Sequence, residues 1–220
     1  IVGNLEFKGV YYKHPSSDQN LFENLNLSIA AGEKVMIKGR SGTGKSTLMQ
    51  MLVGINKPDR GEITLDGRPL SSYDKKTLRK VLRYESQSLR LLEGTLMSNM
   101  RYGNELSSSE VLSKIERYGL SSVYSGLSSG VRTEVGVQGK SMSGGMQKVA
   151  RLLRSMLSES EIVVLDEPLS GLDENTKSKV IRMIIEECKG KTLIVITHDE
   201  SIAPYMNRVV DINSINSVVM

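Results

Sequence analysis

Short apolar runs alternate with segments of helical periodicity along this chain. In the run 25–29 apolar and polar side chains alternate, as on a strand with one buried face, whereas 162–165 and 193–196 are apolar throughout. Continuous apolar runs are typical of strands that are covered on both faces. We predict strands over residues 5–12, 25–29, 35–38, 61–66, 162–165 and 193–196. This alternation predicts an α/β fold with a parallel sheet flanked by helices.

Two amphipathic helices are predicted in the second half of the chain. Beyond Ser143, apolar side chains recur at i, i+3, i+4, i+7 and i+8: Val149, Leu152, Leu153, Met156 and Leu157. A second helix begins after Asp173, a residue type that caps helix N-termini, and Gly190 is a suitable stop. Strand signals are missing between about residues 88 and 158. We therefore predict one domain over residues 1–220 with a helical insertion at about 88–158.

Composition limits the class of protein. The chain carries 29 Lys and Arg against 25 Asp and Glu, a net charge of +4 that is spread along the sequence. Such an excess suits phosphate ligands or an anionic membrane face, and it is weak evidence for nucleic acid. Cys188 is the single cysteine, which excludes an internal disulfide and a zinc cluster of cysteines. No apolar run approaches the roughly 20 residues that cross a bilayer.

A glycine-rich segment follows the predicted strand 35–38 and opens a helix. It reads Gly39-Arg40-Ser41-Gly42-Thr43-Gly44-Lys45-Ser46 and matches the phosphate-binding loop G-x-x-x-x-G-K-[ST]. Its glycines let backbone N–H groups face an anion, and the helix N-terminus adds partial positive charge. Lys45 suits the outer phosphates of a nucleotide, and the Ser46 hydroxyl suits magnesium. The alternative is a glycine-rich turn with a chance Lys-Ser pair, which the flanking strand and helix disfavour.

Two acidic residues follow the buried run 162–165, at a strand end where open parallel sheets bind ligands. Asp166 is the candidate magnesium ligand, and Glu167 is the candidate general base for an attacking water. His198 ends the next apolar strand on the same edge, in reach of a γ-phosphate or of the water. The alternatives are two solvated acids and a structural histidine, and the phosphate loop counts against both.

These motifs resemble those of an ATP-binding cassette (ABC) nucleotide-binding domain, and the resemblance covers the whole chain. Gln87 matches the Q-loop glutamine, Met142-Ser143-Gly144-Gly145-Met146 resembles the signature Leu-Ser-Gly-Gly-Gln, and Ser170-Gly171-Leu172-Asp173 resembles the D-loop. The resemblance implies a P-loop NTPase core with a mostly parallel sheet. It also implies an N-terminal antiparallel β subdomain and an inserted α-helical subdomain.

The same resemblance implies ATP and Mg²⁺ as cofactors. It implies that ATP contacts His14, Gly39, Arg40, Ser41, Gly42, Thr43, Gly44, Lys45, Ser46, Thr47 and Gln87. Magnesium would be held by Ser46, Gln87 and Asp166, while Glu167 and His198 would be catalytic. Signature residues would contact the ATP of a second nucleotide-binding domain in a head-to-tail dimer: Ser143, Gly144, Gly145 and Met146.

Two further segments resemble those of exporters. Residues 94–100 are similar to G-T-x-x-x-N-[IM], and residues 133–139 are similar to T-x-V-G-E-x-G. We therefore expect the ATP-hydrolysing motor domain of an ABC exporter at the cytoplasmic face of a membrane. Its partners would be a second nucleotide-binding domain, in a homo- or heterodimer, and transmembrane domains encoded N-terminal to this chain.

The alternative function is a non-transport ABC ATPase that acts as an ATP-gated clamp on nucleic acid or the ribosome. Clamps of this kind carry a long coiled coil or a second cassette, and this sequence has neither. Six basic residues have helix-like spacing: Lys75, Lys76, Arg79, Lys80, Arg83 and Arg90. We interpret them as a solvated helix face, because no aromatic residues interleave them for base stacking, and we expect no nucleic-acid partner.

Three positions depart from the family pattern. His14 aligns with the aromatic residue that stacks on adenine, although Tyr11 or Tyr12 would take this place if the loop shifted. An imidazole stacks less well, so we expect weaker discrimination for adenine. Val137 replaces the glutamate of the exporter loop, and Met146 replaces the signature glutamine. We expect this chain to supply a good phosphate-loop half-site and a poorer signature half-site to an asymmetric dimer. The alternative is that these substitutions are neutral drift.

Overall fold

The structure is a computed structural model that describes residues 1–136 and 142–216. Its strands are β1 (Leu5–Lys13), β2 (Asn20–Ile29), β3 (Lys34–Lys38), β4 (Arg60–Leu65), β5 (Arg68–Pro69), β6 (Leu82–Glu85), β7 (Ile162–Asp166), β8 (Thr192–Ile196) and β9 (Arg208–Asp211). Its α-helices are α1 (Lys45–Leu52), α2 (Lys75–Val81), α3 (Leu96–Arg101), α4 (Ser108–Arg117), α5 (Gly144–Met156), α6 (Glu174–Glu187) and α7 (Ile212–Ile215).

The strands form two sheets of different type. One sheet has the order β2-β1-β4-β5, and its neighbouring strands are antiparallel. The other has the order β6-β7-β8-β3-β9, in which β7, β8, β3 and β9 are parallel. The carboxyl ends of these parallel strands therefore lie at one edge, where the glycine-rich loop after β3 and the acidic pair of β7 emerge. This mixed arrangement is the one that we expected from the sequence.

Contacts divide the described residues into two compact units. The sheet unit contains residues 1–84, 160–167 and 190–216, and the helical unit contains residues 85–136, 142–159 and 168–189. The predicted insertion at 88–158 falls in the helical unit. None of the helices within the described ranges has the length and apolar content of a membrane span.

The core of the sheet unit follows the predicted periodicity. Leu25, Leu27 and Ile29 of β2 are buried, whereas the two side chains between them are exposed. In β7 and β8 every residue is buried, as continuous apolar runs predict for strands covered on both faces. Apolar burial of this kind stabilises the sheet by about 25 cal/mol for each Å² removed from water.

In the helical unit, the predicted stripe of α5 is buried along its whole length: Val149, Leu152, Leu153, Met156 and Leu157. Asp173 caps α6 as predicted, because its carboxylate accepts a hydrogen bond of 3.0 Å from the Thr176 N–H group. Gly190 follows the helix with a φ of 82°, a left-handed conformation that glycine adopts without strain.

Some predicted boundaries were wrong. β2 begins at Asn20 rather than at residue 25, because Phe22 is buried in the core and extends the strand. β6 and β9 are the two edge strands of the parallel sheet, and their charged residues concealed them. The helix-like spacing predicted for the basic residues holds for those on α2, whereas Arg83 lies in β6 and Arg90 lies beyond it.

Candidate active site

The glycine-rich loop leaves β3 at Lys38 and enters α1 at Lys45. Gly44 caps this helix in a left-handed conformation with a φ of 92°, and a Cβ atom there would lie 2.7 Å from Cζ of Phe22. Both the backbone angle and the close approach of Phe22 require glycine. Gly44 has no side chain to cap the helix, so the N–H groups of the first turn remain for an anionic ligand.

Lys45 lies under this loop with only 9% of its surface exposed. Its ammonium group donates hydrogen bonds to the carbonyl oxygens of Gly39 at 2.7 Å and of Arg40 at 2.8 Å. Burial lowers the pKa of Lys45, although the nearby charges of Glu167 and Asp166 act in the opposite direction. A phosphate group beside this ammonium would add a favourable charge in a site already partly removed from water.

Ser46 and Asp166 form an oxygen pair at the carboxyl edge of the sheet. The Ser46 hydroxyl donates to Oδ2 of Asp166 at 2.9 Å, and the Tyr84 hydroxyl donates to the same oxygen at 3.3 Å. Within residues 1–136 and 142–216, no three His, Cys, Asp or Glu side chains cluster as a metal site. Magnesium in nucleotide sites takes few protein oxygens and completes its shell with phosphate and water, so this pair fits it.

Glu167 points away from that pair, towards the end of β8. It has a φ of 49°, a left-handed conformation that is uncommon outside glycine, and its N–H group donates to the Ile196 carbonyl at 2.8 Å. The Thr197 hydroxyl donates to its Oε2 atom at 3.1 Å. Nε2 of the exposed His198 lies 3.9 Å from its Oε1 atom. The two adjacent acidic residues thus point in different directions at the sheet edge. Asp166 is the candidate metal ligand, and Glu167 is the candidate base.

Tyr84 and Thr197 are contacts that the sequence analysis missed. Tyr84 lies in β6, the edge strand that carried no strand signal. Thr197 directly precedes His198 and is completely buried. A buried hydroxyl usually has a hydrogen-bond partner, so its position beside a candidate catalytic residue was the available signal.

His14 lies exposed in the turn after β1. Its Nδ1 atom is 2.7 Å from the Ser16 hydroxyl and accepts a hydrogen bond of 3.3 Å from the Ser16 N–H group. Tyr12 is buried in β1 with its ring centroid 6.5 Å from that of Phe22, so its ring is not available to stack on a base. Tyr11 is partly exposed.

The signature residues lie at the start of α5 in the helical unit. The Ser143 hydroxyl caps this helix by accepting from the Met146 N–H group at 3.2 Å. The Met146 carbonyl accepts from the buried Tyr124 hydroxyl at 3.1 Å. Among the described residues, no atom lies within 4 Å of a Cβ built at Gly144, and the nearest to one at Gly145 is at 3.6 Å. Packing among these residues therefore does not require glycine at either position.

Two other predicted motifs also belong to the helical unit. Lys148 of α5 holds the D-loop, because its ammonium group donates to the Ser170 carbonyl at 2.6 Å and to the Ser170 hydroxyl. Gln87 is exposed on the segment that follows β6. Its proposed contacts with ATP and magnesium stay a prediction.

The two exporter-like segments contact each other. Thr95 and Glu134 form an antiparallel bridge, in which the Val135 N–H group donates to the Gly94 carbonyl at 2.8 Å. Val137, the substituted position of the second segment, lies outside the described residues. Two segments that are distant in the sequence thus meet in one local structure.

Comparison with known proteins decides the family. Residues 22–170 match the family model described as ABC transporter. The chain belongs to the ABC transporter family. The P-loop NTPase fold of an ABC nucleotide-binding domain, which the motifs implied, is confirmed by the sheet order and by the structural match below.

The relatives of this ABC domain are transport proteins. It is 33% identical over 196 residues to the glutathione/L-cysteine transport system ATP-binding/permease protein CydC of Escherichia coli K12, covering 89% of the chain and 34% of that protein. It is 33% identical over 210 residues to the ATP-dependent lipid A-core flippase of Alkalilimnicola ehrlichii, covering 94% of the chain and 36% of that protein. The chain thus spans about a third of the length of these relatives.

A solved structure shows the same fold for this ABC domain. The ATP-bound structure of a bacterial Atm1-family ABC exporter matches with a TM-score of 0.88 and 27% identity, covering 96% of this chain and 38% of that one. These relatives give no support to the alternative of a clamp on nucleic acid or the ribosome.

Proposed function

We propose that this chain is the ATP-hydrolysing motor domain of a membrane exporter and acts as a head-to-tail pair with a second nucleotide-binding domain. One observation supports this proposal most directly: the glycine-rich loop, Ser46, Asp166 and Glu167 all lie at the carboxyl edge of one parallel sheet. Open α/β sheets bind their ligands at this edge.

In this proposal the triphosphate of ATP lies on the first-turn N–H groups of α1, with Lys45 against its outer phosphates. Ser46 and Asp166, with Gln87, would hold magnesium. Magnesium, when bound, would neutralise negative charge on the phosphate oxygens. The base of ATP would stack on His14, which the turn at Ser16 holds in place.

Hydrolysis requires a base near the outermost phosphorus. Glu167 would take a proton from water as the water oxygen bonds to the γ-phosphorus and the bond to the β-γ bridging oxygen breaks. The left-handed backbone at Glu167 directs its carboxylate away from Asp166 and towards His198. His198 would contact the γ-phosphate or the attacking water.

The signature supports the head-to-tail pair. Ser143 caps α5, and none of the described residues has an atom within 4 Å of a Cβ built at Gly144, so there is open space at this helix N-terminus. A second phosphate would fit there, supplied by the ATP of the partner domain. ATP would join the two domains, and hydrolysis would loosen them and move the transmembrane domains at the cytoplasmic face of the membrane.

The test is a Glu167→Gln variant of the 220-residue chain, examined by size exclusion with magnesium and ATP. We expect a dimer that persists because bound ATP is not hydrolysed, whereas the wild type returns to monomer as ATP is consumed. Glu161→Gln is the matched control, because Glu161 is exposed at the opposite end of β7. A monomer at every ATP concentration for the Glu167 variant would refute the paired mechanism.

A further inference from the structure

The hydroxyl of Thr197, the residue that follows β8, makes two hydrogen bonds, one of them to Glu167. Its Oγ1 atom accepts from the Asp199 N–H group at 3.0 Å and lies 3.1 Å from Oε2 of Glu167. An N–H group can only donate, so the Thr197 hydroxyl proton is left for the carboxylate. The Asp199 N–H group therefore makes the Thr197 hydroxyl the donor and the Glu167 carboxylate the acceptor in the bond between them.

This hydroxyl cannot turn away to water, because Thr197 has no exposed surface. A buried hydroxyl that loses its partner pays a desolvation cost, which makes the observed pairing the favoured one. The donor to Oε2 is thus a preorganised group at the end of a core strand.

The bond also orients the second carboxylate oxygen. With Oε2 on Thr197, Oε1 is the oxygen on the side of His198, at 3.9 Å from its Nε2 atom. The Ile196 carbonyl holds the Glu167 N–H group at 2.8 Å. Ile196 and Thr197 therefore hold the backbone of Glu167 and one of its carboxylate oxygens, and the next residue, His198, carries the neighbouring imidazole.

We propose that Thr197 is a positioning residue for ATP hydrolysis, whose hydroxyl holds the Glu167 carboxylate so that Oε1 faces the attacking water. This inference rests on the proposed function, in which Glu167 is the general base. A base that is out of position slows proton transfer and leaves substrate binding intact, so the role predicts an effect on kcat and little effect on KM.

The test compares Thr197→Val, which has the same shape without the hydroxyl, with Thr197→Ser, which keeps the hydroxyl. We expect kcat for ATP to fall about 10- to 100-fold in the valine variant, the size that loss of one hydrogen bond to a charged group implies. KM should change less than about 2-fold, and the serine variant should recover most of the wild-type kcat.

Thr192→Val is the matched control. Thr192 is also completely buried on β8, but at the opposite end, where its hydroxyl donates to the Gly3 carbonyl and accepts from the Gly32 N–H group. Loss of the Thr192 hydroxyl should lower the unfolding temperature and leave kcat unchanged. Equal effects of the two valine variants on kcat would overturn the proposal, because they would reflect general damage to β8.

A Glu167→Ala background distinguishes the loss of the hydrogen bond from Thr197 to Glu167 from the loss of the hydrogen bond that Thr197 accepts from Asp199. There the Thr197→Val substitution should not lower the residual rate further, since the carboxylate that it positions is gone. A further large fall would place the effect in the segment 197–199 and overturn the inference. If Glu167→Ala alone keeps the wild-type rate, the proposed function fails instead.

Discussion

The carboxylate of Glu85 accepts hydrogen bonds from Nε of Arg151 at 3.0 Å and from the Ser155 hydroxyl at 2.8 Å. Glu85 is only 5% exposed and ends β6, two residues before Gln87. Arg151 and Ser155 lie on α5, the helix that begins at the signature. An ion pair in the interior of the helical unit therefore joins the segment before Gln87 to the signature helix.

We predict that Glu85→Ala lowers the free energy of unfolding by about 3 kcal/mol, because it leaves the largely buried guanidinium group of Arg151 without this acceptor. Glu85→Gln should cost about 1 kcal/mol or less, since its amide oxygen still accepts from Arg151. Denaturant unfolding of both variants measures the difference. Glu159→Ala, an exposed position beyond α5, is the control and should be neutral. Equal losses in the two Glu85 variants would contradict this account.

The pH dependence provides a second readout of Glu85. Burial raises the pKa of its carboxyl group above the usual 4.5, and this outweighs the opposing effects of Ser155 and Arg151. The folded state then keeps a proton that the unfolded state loses, so the stabilisation is complete below 4.5 and disappears as pH rises through the folded pKa. The stability of the wild type relative to Glu85→Gln should therefore fall as the pH rises above 4.5.

We predict that Lys45→Ala weakens ATP binding about 10- to 100-fold and reduces ATPase activity to background, because the charge beside the phosphates is removed. The wild-type ammonium group also holds the carbonyls of Gly39 and Arg40, so the unfolding temperature should be measured with the ATP affinity. Lys57→Ala, at an exposed position after α1, should bind and hydrolyse ATP normally. Near-normal turnover of Lys45→Ala would exclude this phosphate site.

We predict that Met146→Gln raises the ATPase rate of the paired chain several-fold, roughly the effect of one added hydrogen bond. The side chain is partly exposed in the first turn of α5, whereas its carbonyl is held by Tyr124, so glutamine fits without disturbing the helix. Met146→Leu keeps an apolar side chain and should match the wild type. An unchanged rate in Met146→Gln would remove the basis for a weak signature half-site.

Local chemistry in the sequence was enough to locate much of the candidate site. The loop from Gly39 to Ser46 is one continuous segment, and Asp166 and Glu167 are adjacent at the end of β7. The strands beside both motifs are strongly apolar. The order of strand, glycine-rich turn and helix follows from sequence neighbours alone. The caps Ser143 and Asp173 were also predictable, because they bond to the next turn of their own helices.

Only the tertiary structure showed which distant residues meet. β6 and β9 contain charged residues and are held by pairing with neighbouring strands. The β-propensity of their own residues does not predict that pairing. The pair of Glu85 and Arg151 joins residues 66 positions apart, and the Thr197 hydroxyl reaches Glu167 across 30 positions. Short-range patterns record the periodicity and turn chemistry of each segment. Contacts across the fold depend on how the strands and helices pack, and no local sequence pattern encodes that packing.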